Sequence, residues 1–342
     1  MIGMNVFTSD AFSAISLTTA IRDVKTVPNY LGSLGIFQPT PSRTRDIFVE
    51  RMPDGTLLLV PTTEIGGPKT RMNRDRQNGR NFRTVRLRLE DTIRSHELQG
   101  MRAFGSETEL MVVQTEIAMR QAKIMRRMEL TKENMRLGAI NGIVLDADGS
   151  TVINNWYTEF GISAPSAIAF NFPSLTNVDG FIRQNVIRPM RRALGGRWVP
   201  GARIVALCGD TFYDKLIANA EVRAAFLNWT AASQLREGLG KAFESFTYGG
   251  VEFVNYRGTD DNSTVAIGTN ACRIIPVGVD DVFQEARAPG ERFEFVNTLG
   301  QEYYSTLRED ADAPGEAMIL DVATYPLFMC TAPEALLNGT TN

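Results

Sequence analysis

The stretch Phe104–Gly142 limits what this chain can become more than any other part of it. Ser106 is a helix-capping residue and Glu109 follows three positions later, the reciprocal pattern that satisfies two orphan backbone N–H groups at a helix start. No proline interrupts until Pro165, and Gly142 supplies a residue suited to the left-handed stop. The two caps enclose roughly 34 residues, a rod of about 50 Å at ~1.5 Å per residue. An ordinary helix has about 11–12 residues. Leu110, Val113, Ile117, Gln121, Ile124, Met128, Thr131 and Met135 follow three-four spacing along one face. Glu116, Arg120, Lys123, Arg127, Lys132, Glu133 and Arg136 fall on the opposite side, with Glu116 four residues before Arg120 in the favourable order. The expectation is a beam, laid by its apolar face across a sheet or against neighbours, and too long to hide in a compact core. A coiled-coil strand is the alternative; the interrupted seam and the hairpin that follows at once argue against it.

The chain has 342 residues, enough for two or three domains and a large core. A net charge of −3 excludes a chain that coats itself in nucleic acid. Cys208, Cys272 and Cys330 are odd in number, far apart and each set among apolar residues, so buried thiols are expected rather than a disulfide or a metal site. No basic segment followed by an apolar one opens the sequence, so no secretory leader is expected. No run of ~18 apolar residues exists to span a membrane as a helix. Arginine outnumbers lysine thirty to six. Guanidinium forks make better interface ion pairs than ammonium groups; codon bias is the plain alternative.

Along the chain, residues 1–42 hold one short helical pattern at Asp10–Ile21 and then Pro28, Gly32, Gly35, Pro39 and Pro41. This reads as an extended arm that must lie on something. Asp46–Met52 and Thr56–Val60 flank Pro53-Asp54-Gly55, a hairpin signal. A strand is expected at Phe82–Leu89, where Val85, Leu87 and Leu89 alternate with Arg86 and Arg88. From Lys69 to Arg102 there are ten basic and four acidic residues. Such a stretch can bind phosphate or lie on an acidic neighbouring subunit. The lack of interleaved aromatics for base stacking favours the neighbour. A ribbon this size cannot bury enough apolar surface alone.

After the beam, Asp146-Ala147-Asp148-Gly149-Ser150 resembles a calcium loop but has Thr151 and Tyr157 where glycine and glutamate are needed, so it reads as a hairpin turn. Residues 177–276 alternate helix and strand. A helix is expected at Asn177–Leu194, kinked at Pro189, then a strand at Arg203–Leu207. A helix capped by Asp210 should run to Ala218 and continue through Glu221–Trp229, before strands at Phe246–Tyr256 and Thr264–Ile267. Residues 277–337 return to strand and turn, with Glu291–Val296 and Met318–Cys330 the strongest strands.

Nothing converges on catalysis. His96 is the single histidine and lies in a charged stretch, where a surface or interface role is the default. Gly238-Leu239-Gly240-Lys241 imitates a phosphate loop but lacks its first glycine, and Ala242 stands where serine or threonine is required. The acid pairs Asp260/Asp261 and Asp280/Asp281 sit in turn-like contexts. No catalytic residue, cofactor or metal is therefore expected, and no enzyme.

Leu89-Glu90-Asp91-Thr92-Ile93, Glu97, Gln99-Gly100 and Arg102-Ala103-Phe104-Gly105, leading into Glu107 and Glu109, carry a family likeness. So do Arg136-Leu137-Gly138-Ala139, Gly142, Val144-Leu145-Asp146 and Asp148-Gly149. Gly32, Leu34-Gly35, Phe37, Asp54-Gly55-Thr56, Leu58 and Val60-Pro61 fit as well, as do Pro326-Leu327 and Pro333-Glu334. In these residues the chain resembles the major capsid protein E family of tailed bacteriophages. The likeness covers nearly the whole chain and is most specific over 89–149.

The resemblance implies an α+β chain with the tailed-phage (Hong Kong 97-type) capsid fold. Its parts would be an N-terminal arm (1–42), an extended loop with flanking strands (43–103), a peripheral domain with a spine helix at 107–141 (104–176), an axial α/β domain (177–276) and a return to peripheral strands (277–342). It implies a head protein that self-assembles into pentamers and hexamers of an icosahedral shell around double-stranded DNA, made in the host bacterial cytoplasm. Implied partners are copies of itself, separate scaffolding, portal and decoration proteins, and DNA touched without sequence reading, with no membrane. Covalent cross-linking is not expected, since Lys69 is the only lysine between Lys25 and Lys123. An encapsulin-type compartment is the rival on the same fold; an enzyme or a nucleic-acid-binding module are rivals from other classes. Arg71, Arg74, Arg76, Arg80 and Arg83 are the expected inter-subunit contacts.

Overall fold

The computed structural model describes residues 12–21, 30–51, 78–98, 108–226, 245–258 and 265–341. The first elements are α1 (Ala14–Ala20), α2 (Tyr30–Ser33), β1 (Gln38–Pro41), β2 (Asp46–Arg51), β3 (Asn78–Arg83), β4 (Leu87–Arg94), α3 (Ser95–Leu98) and α4 (Thr108–Asn141). Then come β5 (Ile143–Leu145), β6 (Val152–Asn155), α5 (Trp156–Phe160), β7 (Ile168–Phe170), α6 (Val178–Ile182), α7 (Arg188–Leu194), β8 (Arg203–Cys208), α8 (Asp210–Ala218) and a helical segment α9 over 220–226. The chain ends with β9 (Ser245–Tyr248), β10 (Val251–Asn255), β11 (Ala271–Val277), β12 (Phe283–Arg287), β13 (Tyr304–Glu309), β14 (Ala317–Thr324), β15 (Pro326–Cys330) and β16 (Leu337–Thr341). Two compact units are drawn from these: the first from Met1–Val49, Asn81–Glu133 and Gln284–Phe328, the second from the rest.

The beam exists. α4 has 34 residues and stops at Gly142, whose φ is +79°. Its expected capping box at Ser106 and Glu109 lies outside the described residues and side chains. In the first unit α4 contributes Val113, Ile117, Ile124, Met125 and Met128 to a core shared with Phe12, Leu17 and Ile21 from and around α1. The same core takes Ile93 of β4 and Met318, Leu320 and Val322 of β14. Those strands form the antiparallel sheet β13-β14-β4. Alternation across the pleat sends consecutive residues to opposite faces: Tyr303 joins that core, while Tyr304 packs with Ala288, Phe295, Ala323 and Tyr325 on the other face. Each of these buried large side chains contributes roughly 1.5–3 kcal/mol.

α1 is capped by Ser13, whose hydroxyl accepts from Ser16 N–H at 3.2 Å, and Thr18 donates to Ser305 O at 3.2 Å. β1 pairs in parallel with β12, and Phe37 meets Phe328 edge-on at 5.4 Å. The described part of the first 42 residues thus lies on its own chain. The expected unbroken strand Phe82–Leu89 is corrected to two, because the chain changes sheets between them: β3 pairs with β2, and β4 with β14. Val85 N–H crosses to Pro326 O at 3.1 Å. The hairpin expected at Pro53-Asp54-Gly55 lies outside the described residues.

Lys132, Glu133 and Arg136 correct a larger expectation. They are 0%, 1% and 6% exposed, and from Met128 to Asn141 no residue of α4 is exposed, so the exposed charged face ends at Arg127. The helix pattern could not reveal this, since Glu285 and Glu302 beside Lys132, and the α2 N–H groups that donate to Glu133, come from distant segments.

The second unit is organised on the mixed six-stranded sheet β7-β16-β11-β8-β10-β9. Its strand β8 is buried from Ile204 to Cys208. In the same unit Phe170 of β7, Phe172, Phe181 and Phe212 of α8 form an aromatic cluster with centroid separations of 5.2–5.5 Å. The expected helix 177–194 is present, capped by Asn177, and its kink is a π turn at Arg183–Ile187. Pro189 lacks an N–H and crowds the preceding turn, which the wider turn relieves. Asp210 is the first residue of α8 and Gly209 the cap, correcting the expected cap by one. The expected continuation is a separate helix, because Asn219 leaves α8 at ψ 132° and its side chain accepts from Glu221 and Val222 N–H to start α9; its expected end at 227–229 lies outside the described residues.

The expected strand Phe246–Tyr256 is a hairpin, β9–β10, turned at Gly249-Gly250, both with φ above zero. The strand expected at Thr264–Ile267 is absent over 265–267, and β11, which sequence reading missed, follows instead. Glu291–Val296 is not a strand but a loop with one 3-10 turn at Phe293–Phe295, and Met318–Cys330 divides at Tyr325 into β14 and β15. The Asp146–Ser150 segment is the turn of the β5–β6 hairpin, closed by Asp148 accepting from Ser150 N–H, Thr151 N–H and the Thr151 hydroxyl.

Gly142 needs its missing side chain twice over: its φ is positive, and a Cβ would stand 2.2 Å from Tyr157 Cε2. Gly149 has φ +69° with nothing within 4 Å. Gly149→Ala should therefore cost about 1 kcal/mol, from backbone strain alone. Gly142→Ala should cost about 2–4 kcal/mol, because overpacking is added. Denaturant midpoints of the two variants check this; equal costs would mean that the Tyr157 ring yields freely.

Candidate functional site

A chain expected to work by contact rather than turnover carries its site on its surface, held by what lies beneath. In the first unit the hold begins at Lys132. Its Nζ lies 2.9 Å from Glu302 Oε1, 3.3 Å from Glu129 Oε1 and 3.9 Å from Glu285 Oε1, and 4.3 Å from the centre of the Tyr303 ring. The Tyr303 hydroxyl donates to Glu129. Arg287 joins the same carboxylates, 2.9 Å from Glu285 and 3.2 Å from Glu302. The next residue, Glu133, accepts from Leu31 N–H at 2.7 Å and Gly32 N–H at 3.2 Å, fixing the start of α2. Burial works to raise the Glu302 carboxyl, and the charges of Lys132 and Arg287 together outweigh it, leaving it below its ordinary value.

Glu302 anchors one end of a loop that shows apolar side chains to solvent. Phe293 is 96% exposed, with Val296 and Leu299 about half exposed beside it. The backbone beneath is tied down. Phe295 turns inward, its ring 4.7 Å from Tyr304. Gly300 N–H donates to Ser42 O at 2.8 Å, and Gln301 N–H to the Tyr304 hydroxyl at 2.8 Å. Arg45 and Arg86 grip Glu291 at 2.7 and 3.4 Å, and Arg45 lies 4.9 Å from the Tyr325 ring centre. The sequence pattern Phe293-Glu294-Phe295-Val296 reads as strand alternation, which is why this surface went unread. An alternating run followed by Asn297, which adopts φ +57°, was the available signal for a loop.

The outer face of the three-stranded sheet carries a ladder of charge. Arg88 binds Asp321 through Nε at 2.8 Å and Glu90 through Nη2 at 2.6 Å, and Arg308 reaches Glu90 at 3.3 Å. Asp321 is the largest cause of the raised Arg88 value. Arg120 of α4 gathers Glu116, Glu97 and Asp91 at 2.7, 2.6 and 3.3 Å. Of the five expected contact arginines, two fall among the described residues. Arg80 and Arg83 stand exposed on β3, and Arg80 meets Glu159 of its own chain at 3.2 Å. Arg71, Arg74 and Arg76 lie outside the described residues. His96 is exposed in α3. Among the described residues no group of His, Cys, Asp and Glu is placed to hold a metal, and no helix is long and apolar enough to cross a membrane.

Because the folded Glu302 carboxyl lies below its unfolded value, its contribution is full above about pH 4.3 and drains away as pH falls through the folded value. Melting temperature should therefore drop below about pH 4. Glu302→Gln should melt lower at pH 7 and show a flatter acid limb; an unchanged limb would remove Glu302 from the balance.

A sequence profile of the family described as phage major capsid protein E matches residues 13–341. The major capsid protein of Salmonella phage Felix O1 is 25% identical to this chain, over 97% of this chain and 98% of that protein. That of Pseudomonas phage KPP10 is 24% identical, over 92% and 93%. A solved structure from a prophage of E. coli CFT073, assigned as a capsid protein, superposes with a TM-score of 0.56 over 96% of this chain and 99% of that one. At 12% identity this likeness speaks for the fold alone, α+β and of the Hong Kong 97 type. The chain belongs to the phage major capsid protein E family, and its function is that of a major capsid protein.

Proposed function

We propose that copies of this chain close into pentamers and hexamers of an icosahedral shell that encloses double-stranded DNA, and that its work is mechanical, with no catalytic step. Residues 1–42 serve as the arm, 43–103 as the extended loop, 104–176 with the helix at 107–141 as the peripheral domain, 177–276 as the axial domain, and 277–342 as the return. Assembly takes place in the host bacterial cytoplasm, with separate scaffolding, portal and decoration proteins. DNA is touched through its phosphates without sequence reading.

The observation that carries this reading is Phe293. A phenylalanine 96% in water on a loop fixed at both ends is a poor arrangement for a solitary protein and a ready one for a protein completed by neighbours. Covering one such side chain is worth roughly 1.5–3 kcal/mol per contact. Interfaces of permanent assemblies bury about 2,000–5,000 Å² in all. The arginine ribbon supplies the second kind of contact: Arg71, Arg74, Arg76, Arg80 and Arg83 dock on acidic groups of an adjacent copy, with the Arg80–Glu159 pair exchanged for one between copies.

Electron microscopy of the expressed protein is expected to show closed shells. Phe293→Asp should leave a folded subunit, with unchanged circular dichroism, that forms shells poorly. Neutralising Arg71, Arg74, Arg76 and Arg80 together should block closure. Monomers at high concentration for the unaltered chain would overturn the reading, as would normal shells from both variants. Shells filled with a protein cargo in place of DNA would move it to an encapsulin-type compartment.

A further inference from the structure

Cys208 ends β8 and Cys272 lies near the start of β11, and the antiparallel register sets them directly opposite one another. Their Sγ atoms are 3.4 Å apart. The next pair along, Gly209 and Ala271, is joined by a hydrogen bond from Gly209 N–H to Ala271 O at 2.9 Å. Cys208 O turns the other way and accepts from Tyr256 N–H at 2.9 Å. The alternation of an antiparallel ladder therefore makes Cys208 and Cys272 a pair without mutual backbone bonds, where opposed Cα atoms approach to about 4.5 Å. That lies within the span a disulfide bridges, roughly 4.4–6.8 Å. Both residues are fully buried as free thiols. Burial raises the Cys208 thiol well above its ordinary value, so that thiol is protonated and slow to react while the sheet is closed.

We propose that Cys208 and Cys272 are a latent cross-strand disulfide site, two thiols in a reducing cytoplasm and one disulfide after the shell reaches an oxidising medium. The change of medium rests on the shell reading above. The oxidant is a small-molecule disulfide. When the strands open locally, one cysteine thiolate attacks it, forming a mixed disulfide and releasing one small thiol. The second cysteine thiolate then displaces the other small thiol as the protein S–S bond forms. Two electrons and two protons pass to the oxidant, which leaves as two thiols. The bond closes a loop that carries α8, α9, β9 and β10, stapling the middle of the second unit's sheet.

The test incubates the purified, assembled protein with oxidised glutathione at neutral pH, against a sample kept in reductant. Thiols counted after unfolding should fall from three to one. The peptides holding Cys208 and Cys272 should be recovered linked, and the oxidised protein should need more denaturant to unfold. Cys330→Ser should still lose two thiols, and Cys208→Ser should lose none to a bond within the chain. Three surviving thiols would overturn the proposal if the urea-unfolded chain oxidises in the same mixture. Glutathione adducts alone, or cross-links through Cys330, would overturn it equally. Shell closure is scored separately by microscopy, so a disulfide formed in a protein that makes no shells would count against the assembly reading and not against this site.

Discussion

Lys132 has no access to water, and a buried ammonium must be met by opposite charge or the fold fails. Glu129 meets it from the preceding turn, and the other two groups come from far along the chain: Glu285 from β12, and Glu302 from the end of the exposed loop. Removing one partner from a buried pair typically costs about 3–5 kcal/mol, more than the pair itself contributes. The cluster therefore acts as a register device: α4, β12 and the loop before β13 must arrive together or leave a charge stranded. Glu133 extends the same logic to backbone, since two N–H groups of α2 have this carboxylate for their acceptor. The 30–33 turn is thereby fixed to the helix by a charge-assisted contact as well as by Leu31 packing.

What could be read from the sequence was what local chemistry decides. α4, the hairpin around Asp148, the Asn177 helix and β8 carry their own caps, turns or apolar runs, and each stands close to where its residues placed it. The failures share a cause in long-range pairing. Thr84–Arg86 looked like strand because its alternation continues through it, but the chain there leaves β2 for β14. β11 lies between β8 and β16, and its Pro276 is tolerated because pairing with β16 ends at Ile274. Lys132, Glu133 and Arg136 looked like a solvated face because a helical pattern records spacing and not neighbours. The candidate surface shows the same division. Arg80 and Arg83 were legible as exposed cations, while Phe293 was hidden in a pattern that fits a strand equally well.

The thiols show how a correct statement about burial can omit a relation. Apolar context marked all three cysteines as buried, and they are. Spacing along the chain could not show that Cys208 and Cys272 stand across one ladder, because 63 residues, including a hairpin and two helical segments, separate them. Only the register β8–β11 brings the sulfurs together.

On the proposed reading, rigidity is what lets the exposed Phe293 serve assembly. A contact made by a flexible loop first has to order it, at roughly 1–2 kcal/mol per residue of backbone, and a few such residues would cancel what burying one aromatic ring returns. The loop under Phe293 is already ordered by Phe295, Glu291, Gly300 and Gln301, so the ordering cost was met when the subunit folded. On the proposed reading each contact then stays weak enough to release a misplaced subunit. Closure gives permanence because every copy is held by several such contacts at once, and all must break together for one subunit to leave.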